Sequence, residues 1–294
     1  MTFRSLDDLP NPSTEAAAGA LSAVLPARVG TPARARAGGH GAWRRRARRT
    51  TTPLVLLGLW QLGASTGEFS TKLFASPWLI LKAFGTLLGN GQLESALWIS
   101  LIRVAGGLGI GVPIGLALAV IAGLSRRGED YVDPSVQMVR TIPVIALSGL
   151  FIVWFGIGEE AKMVIIASGC FFPVYINTFA GIRGVDTKLF EAAKVLGVSR
   201  WGLIRDVIVP GALPNFLVGL RYALGVSWLV LFFAEQDNAQ SGIGFLMTQA
   251  QQDFQIPVVF VGMIVYALLG LGADLIVRFI EKKALTWRTS FSGT

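Results

Sequence analysis

The amino-acid sequence predicts an all-α membrane protein of about six transmembrane helices, and three observations carry that prediction. The 294 residues are 52% hydrophobic and only 15% charged, where an ordinary soluble domain carries about 25% charged residues. Mean hydropathy is +0.58. The apolar residues fall into runs long enough to cross a hydrocarbon core, which takes roughly 20 helical residues, and charge gathers between the runs. The 35 glycines suit close approach of helices in lipid.

Taken in order, residues 1–50 are rich in Ala, Gly, Pro and Arg without a hydrophobic period and read as a disordered basic cytoplasmic tail. The tail ends in Arg44, Arg45, Arg46, Arg48 and Arg49. That run reads as a twin-arginine or transit signal, or as an anchor beside the first crossing. The transmembrane domain is expected over 51–288, with a short tail at 289–294. A first crossing is expected near 51–66. In the mixed segment after it, Ala75-Ser76-Pro77 opens a short amphipathic stretch. The second crossing, near 97–124, carries Gly107, Gly111 and Gly115 on one helix face, a small-residue packing face. A nucleotide-binding glycine motif would need a preceding strand. A charged loop is expected over 125–133, then a third crossing over roughly 135–156 with Pro143 inside it. A polar break at Gly156–Glu160 leads to a fourth crossing near 161–182. Two short helices fill a basic loop at 184–208, where Pro210 is expected to stop the second. A fifth crossing lies near 211–233, a polar acidic stretch at 235–255, and a sixth crossing near 256–280.

The net charge of +8 fits either nucleic-acid binding or the positive-inside rule, and its distribution favours the second. Lys188, Lys194, Arg200 and Arg205 lie in the 184–208 loop and both termini are basic, whereas 235–255 has Glu235, Asp237 and Asp253 with no Lys or Arg. Six crossings place both termini, Arg126, Arg127 and the 184–208 loop in the cytoplasm, and Glu159 and Glu160 outside. One cysteine, Cys170, excludes an intrachain disulfide, and with one histidine, His40, there is no ligand cluster for a metal.

The most informative run is Glu191-Ala192-Ala193-Lys194-Val195-Leu196-Gly197, continuing through Arg200 to Val207-Ile208-Val209-Pro210 and Leu213-Pro214. Asp186 and Ser199 are candidate N-caps, and Gly197 can end the first helix in a left-handed conformation. Together they describe a compact knob between two crossings. The run resembles the EAA loop of ABC importer permeases, which has E-A-A, three residues, G, nine residues and a hydrophobe. Val207 stands at the hydrophobic place, where the family has isoleucine. Farther along, Ser100-Leu101-Ile102-Arg103, Gly219 to Gly225, Ala234-Glu235, Ser241-Gly242-Ile243-Gly244 and Thr286-Trp287-Arg288 are similar to the nitrate/sulfonate/taurine-type permeases. The resemblance covers about residues 74–288, and the polar run Gln236–Gln240 departs from it.

The resemblance implies a type I ABC importer transmembrane-domain fold and a non-catalytic subunit of the bacterial inner membrane. Two copies would pair as a homodimer, with two cytoplasmic ABC ATPase subunits below and a substrate-binding protein outside. It implies a coupling loop at 184–214, carried by Glu191, Ala192, Ala193, Leu196, Gly197, Arg200, Pro210 and Pro214. ATP and Mg would sit on the partner ATPase, and this chain would bind no cofactor. The chain has no G-x-x-x-x-G-K-[ST] phosphate loop. The implied solute is small and anionic, aliphatic sulfonate or taurine first, with nitrate, bicarbonate or a pyrimidine behind. A secondary transporter is the rival, and it would need intramembrane acidic couplers, for which Asp274 is the candidate.

Polar groups inside crossings are candidate pathway or gate elements: Arg103, Thr141, Pro143, Ser148, Arg221, Glu235, Ser241 and Gly242. Each has two readings. Arg103 and Arg221 would face an anion, or make structural pairs or snorkel. Thr141, Pro143 and Ser148 would line a bent pathway helix, or pack it. Phe171, Phe172, Tyr175 and Trp154 would form a stacking wall, or pack an interface. Ser241–Gly244 would dip toward an outer gate, or form a plain turn. Asp274 and Arg278, four apart, are expected to pair along one helix face.

Overall fold

A computed structural model describes residues 51, 55–56, 58–64 and 75–286, and the helical bundle belongs to the unit from Leu57 onward. The tail at 1–50, much of the first predicted crossing and the stretch 289–294 lie outside the described residues. Residues 58–64 are helical, and Trp60 packs its ring 5.7 Å from that of Phe260.

Helix α1, Pro77–Gly89, starts where expected: Ser76 Oγ accepts from the Leu79 N–H at 3.3 Å, and Pro77 occupies the first turn, where no N–H is needed. Helix α2, Gln92–Leu124, is a 33-residue rod. The next segment corrects the sequence reading. Residues 125–133 are not a loop, and 135–156 is not one straight crossing. Helix α3, Arg126–Arg140, is amphipathic and capped by Ser125 Oγ, which accepts from the Gly128 N–H at 2.8 Å. After a break at 141–143, helix α4, Val144–Phe155, leaves at 98° to α3. Pro143 cannot donate, and it disfavours helical backbone at Ile142. The polar side of α3 is held by the bundle: Glu129 pairs with Arg183, and Asp133 accepts from Tyr175 Oη at 3.0 Å.

Helix α5, Glu159–Arg183, follows the expected break at Gly156, whose φ is +79°. Helix α6, Thr187–Val195, and the single turn α7, Arg200–Leu203, form the basic loop. A π-helical turn, Ile204–Ile208, then runs into helix α8, Val209–Asn238. Pro210 therefore stops nothing, and Arg200–Gln236 is one continuous span. The wider turn just before Pro210 adjusts the ladder where its missing N–H would otherwise leave a helical carbonyl without its donor. The stretch read as polar loop contains helix α9, Ile243–Gln252, and helix α10, Ile256–Ala284, completes the fold. Among the described residues four helices are long and apolar enough to cross a membrane, and the bent α3–α4 pair raises this to five.

Helix α5 is the centre of the bundle, with α2 against one side and α8 against another. Ile166, Cys170, Val174, Ala223 and Leu231 are fully buried between them. The glycine face on α2 meets α5 backbone: a Cβ on Gly115 would lie 2.8 Å from Phe171 O, and one on Gly111 would overlap Ala167 O.

Helix α9 ends in a Schellman turn, with Phe254 N–H bonded to Gln251 O at 3.2 Å and Gln255 N–H to Ala250 O at 2.7 Å. The left-handed position, usually glycine, holds Phe254 at φ +55°, with its side chain 87% exposed. Phe254→Gly is expected to stabilise the fold by about 1 kcal/mol, measured as a shift in the denaturation midpoint of purified protein.

Candidate functional site

The loop at 184–214 is built by local capping. Asp186 Oδ1 accepts from the Lys188 N–H at 2.9 Å and opens α6. Gly197, at φ +74°, closes it. Its N–H bonds to Lys194 O at 3.1 Å, and the Val198 N–H bonds to Ala193 O at 3.0 Å, a complete Schellman turn. Ser199 Oγ then accepts from the Gly202 N–H at 3.1 Å and starts α7. Ala193 is buried, while Ala192 faces out. The tip is apolar and uncovered: Val195 is 88% exposed, Leu196 80% and Trp201 71%. Glu191, Lys194 and Arg200 make no side-chain hydrogen bond or ion pair among the described residues. Pro210 and Pro214 lie beyond the knob, at the start of α8 and inside it. Apolar side chains left bare on a short, rigidly capped loop mark a surface for a protein or a membrane.

At the opposite end of the bundle, three separated sequence fragments converge on one guanidinium. Arg103, on α2, is 1% exposed. Its Nε and Nη2 donate to the two oxygens of Glu159, both at 2.6 Å. Its Nη1 donates to Glu235 Oε1 at 2.7 Å and to Ser241 O at 2.7 Å. Nη2 also reaches Ser241 Oγ at 3.2 Å. A guanidinium has five N–H groups, and here each has an acceptor within the chain. The geometry therefore matches the structural-pair reading of Arg103, with no N–H left for a solute anion in this arrangement.

Glu235, on α8, is fully buried. Besides Arg103, it accepts from Ser100 Oγ at 2.8 Å, the Gly244 N–H at 2.8 Å and Tyr266 Oη at 3.3 Å. Ser100 Oγ in turn accepts from the Ile243 N–H at 3.0 Å, satisfying the first turn of α9. Lys162 Nζ sits 3.0 Å from Glu159 Oε1, so two cations face two carboxylates. Gly242 holds φ +107°, and a Cβ there would overlap the Glu235 carboxylate and lie 2.6 Å from Arg103 Nη1. Ser241–Gly244 is thus neither a plain turn nor a free hairpin: it is the entry to α9, pinned onto a buried ion pair.

Arg221 lies elsewhere, on α8 facing α10. Its Nη2 donates to Glu281 at 2.5 Å. Its Nε lies 3.3 Å from Asp274 Oδ1, close enough for an ion pair but without hydrogen-bond geometry. The charge contact stands without the hydrogen bond, because Coulomb attraction depends on distance more than on angle. Asp274 also accepts from Arg278 Nε at 2.6 Å, the expected pair along one helix. Thr141 and Ser148 hydroxyls bond back to Met138 O and Ile145 O, both at 2.7 Å, and Pro143 is the N-cap residue of α4. The four aromatics do not form one wall. Tyr175 stacks on Phe171 and Phe179, and Phe171 meets Phe172 edge-on, whereas Trp154, 64% exposed, meets Phe151.

Sequence reasoning named Arg103, Glu235, Ser241 and Gly242 as candidates but did not join them; it mentioned Ser100, Glu159 and Gly244 without a role in the site, and it missed Tyr266 and Glu281. The i, i+3 spacing of Ser100 and Arg103 was a usable signal, since it puts a hydroxyl and a guanidinium on one helix face.

Residues 111–286 match the family of binding-protein-dependent transport system inner membrane components. The chain is 45% identical to the Bacillus subtilis (strain 168) protein named as an aliphatic sulfonates transport permease, SsuC, over 82% of this chain and 87% of that protein. It is 44% identical to the Escherichia coli (strain K12) protein of the same name, over 81% and 91%. It is 33% identical to the E. coli (strain K12) taurine transport system permease TauC, over 80% and 88%. A chain of the MetNI methionine ABC transporter, solved in an inward-facing conformation, superposes with a TM-score of 0.46 at 22% identity, covering 69% of this chain and 97% of that one.

Proposed function

Because the chain belongs to the binding-protein-dependent transport inner membrane component family, we propose that it carries aliphatic sulfonates inward across a bacterial inner membrane, driven by a separate ATPase. The observation that carries the substrate is the 45% and 44% identity to two permeases named for aliphatic sulfonates, each across more than four fifths of this chain. Taurine, itself a sulfonate, is the second candidate, on the 33% identity to TauC.

In this reading the chain pairs with a second copy, both termini are cytoplasmic and the substrate-binding protein docks on the far side. The pairing is supported by α4, an apolar helix without one buried residue in the single chain. The knob at 184–214 seats its apolar tip, Val195, Leu196 and Trp201, in an ATPase subunit that holds the ATP and Mg. Glu191, without a side-chain partner among the described residues, is available at the rim of that contact. ATP-driven approach of the ATPases moves the two knobs as rigid bodies and biases the pathway between two states. Arg221, Thr141, Pro143 and Ser148 remain the pathway candidates. Asp274, the candidate coupler of a secondary transporter, is already engaged by Arg221 and Arg278.

Leu196 touches little of its own chain, so Leu196→Asp should leave insertion and thermal stability unchanged. It should reduce ATP-dependent uptake of ethanesulfonate by the whole complex about thirtyfold, the loss typical of an interface hot spot. Unchanged uptake would remove the coupling role from the loop. Uptake of nitrate but no sulfonate by the wild-type complex would remove the substrate assignment.

A further inference from the structure

We propose that a groove at the loop end of the bundle seats one anionic phospholipid, with its acyl chain between α2, α5 and α8 and its phosphate between Lys194 and Arg200. Two cavities adjoin there. The first is lined by apolar side chains, among them Leu116 and Val120 of α2, Ile182 of α5, and Ala212 and Phe216 of α8. The second is lined by Phe190, Lys194, Val198 and Arg200 of the knob. They share Leu124, Ile204 and Ile208, so the apolar groove opens directly onto two cations.

Charge decides the occupant. No Asp or Glu lines either cavity. Neither Lys194 nor Arg200 has an ion pair among the described residues, and Arg126 and Arg127 follow Leu124, which lines both cavities, in the sequence. Of the acids in the loop, Asp186 caps α6, Glu191 lines neither cavity, and Asp206 lies 3.9 Å from Arg205. An apolar channel ending in unpaired cations matches an amphiphile with an anionic head. The Arg-rich stretch with Arg34, Arg36 and Arg44–Arg49 is excluded as the occupant by like charge. Thr178, which lines the groove, has its Oγ1 buried without a partner among the described residues. The knob's exposed tip residues Val195, Leu196 and Trp201 line neither cavity, so lipid and ATPase would use different faces of the loop. The proposal does not depend on the substrate.

The test is native mass spectrometry of the purified full-length chain after exchange into micelles doped with equal phosphatidylglycerol and phosphatidylcholine. Wild-type protein should retain one phosphatidylglycerol in preference to phosphatidylcholine. The pair Lys194→Gln with Arg200→Gln should weaken that preference about thirtyfold, the effect of two surface cations on an anionic lipid. Val120→Phe, which fills the groove and leaves the charges, should remove retention of both lipids. Circular dichroism and elution volume check that each variant is folded, and a variant that fails is replaced by Lys194→Gln alone or Leu116→Phe. Equal retention of the two lipids by wild type, or a preference unmoved by the charge substitutions, overturns the proposal. So does displacement of the lipid by millimolar inorganic phosphate, which would make this a free-anion site.

Discussion

Glu235→Ala is expected to destabilise the folded protein by about 3–5 kcal/mol, the loss seen when one partner of a buried ion pair is removed. The carboxylate is fully buried and takes four donors: Ser100 Oγ, Arg103 Nη1, the Gly244 N–H and Tyr266 Oη. Its removal leaves the Arg103 guanidinium with one carboxylate instead of two, and strands a backbone N–H in the first turn of α9. Arg103→Ala should do comparable harm, because Glu235 would keep neutral donors and lose its cation. Glu159 is cushioned: its side chain is 52% exposed and retains Lys162 at 3.0 Å. The double variant should therefore lose less than the sum of the singles, by about 1–3 kcal/mol, since neither buried charge is left facing nothing. The measurement is a double-mutant cycle by denaturation in detergent. Strict additivity would mean that the pair contributes no coupling.

The second large effect lies at the α2–α5 crossing. Gly111→Val places a branched side chain where a Cβ alone overlaps Ala167 O and approaches Ala167 C and Cα at 3.0 Å. The obstacle is backbone, so no rotamer change relieves it. The helices must separate, and the cost is about 3 kcal/mol or more, at or above the upper end of core overpacking. Gly109 supplies the control on the same helix: a Cβ there meets nothing within 4 Å, so Gly109→Val should stay within about 0.5 kcal/mol of wild type. Equal effects at the two positions would show that the helix tolerates separation and that close packing contributes little.

The features legible in the sequence share one property, which is that they are local. Asp186 and Ser199 act as the side-chain caps expected of them, and a cap is decided within three residues. Gly197 ends α6 because only its own backbone need adopt a positive φ. The four-residue glycine spacing on α2 predicts a packing face because helical periodicity needs no partner to be read. The break at 141–143 was half legible: Pro143 marked the place, but whether a proline kinks a helix or ends it depends on what the flanking residues find to bind. Here Glu129 and Asp133 find Arg183 and Tyr175, and α3 turns away from α4. Pro210 went the other way, absorbed by the π turn that precedes it.

The sequence by itself determined that this chain is helical, that it belongs in a bilayer, and where its capped loop begins. Those outcomes arise from apolar run length and from hydrogen bonds between near neighbours. Tertiary structure alone decided the fate of the intramembrane charges. Arg103 had several acids within plausible reach, and its partners lie 56 and 132 residues away. A buried charge must be neutralised by some opposite charge, but Coulomb attraction carries no sequence address. Only the packing of α2, α5 and α8 around one another selects Glu159 and Glu235, and with them makes Arg103 a staple of the fold.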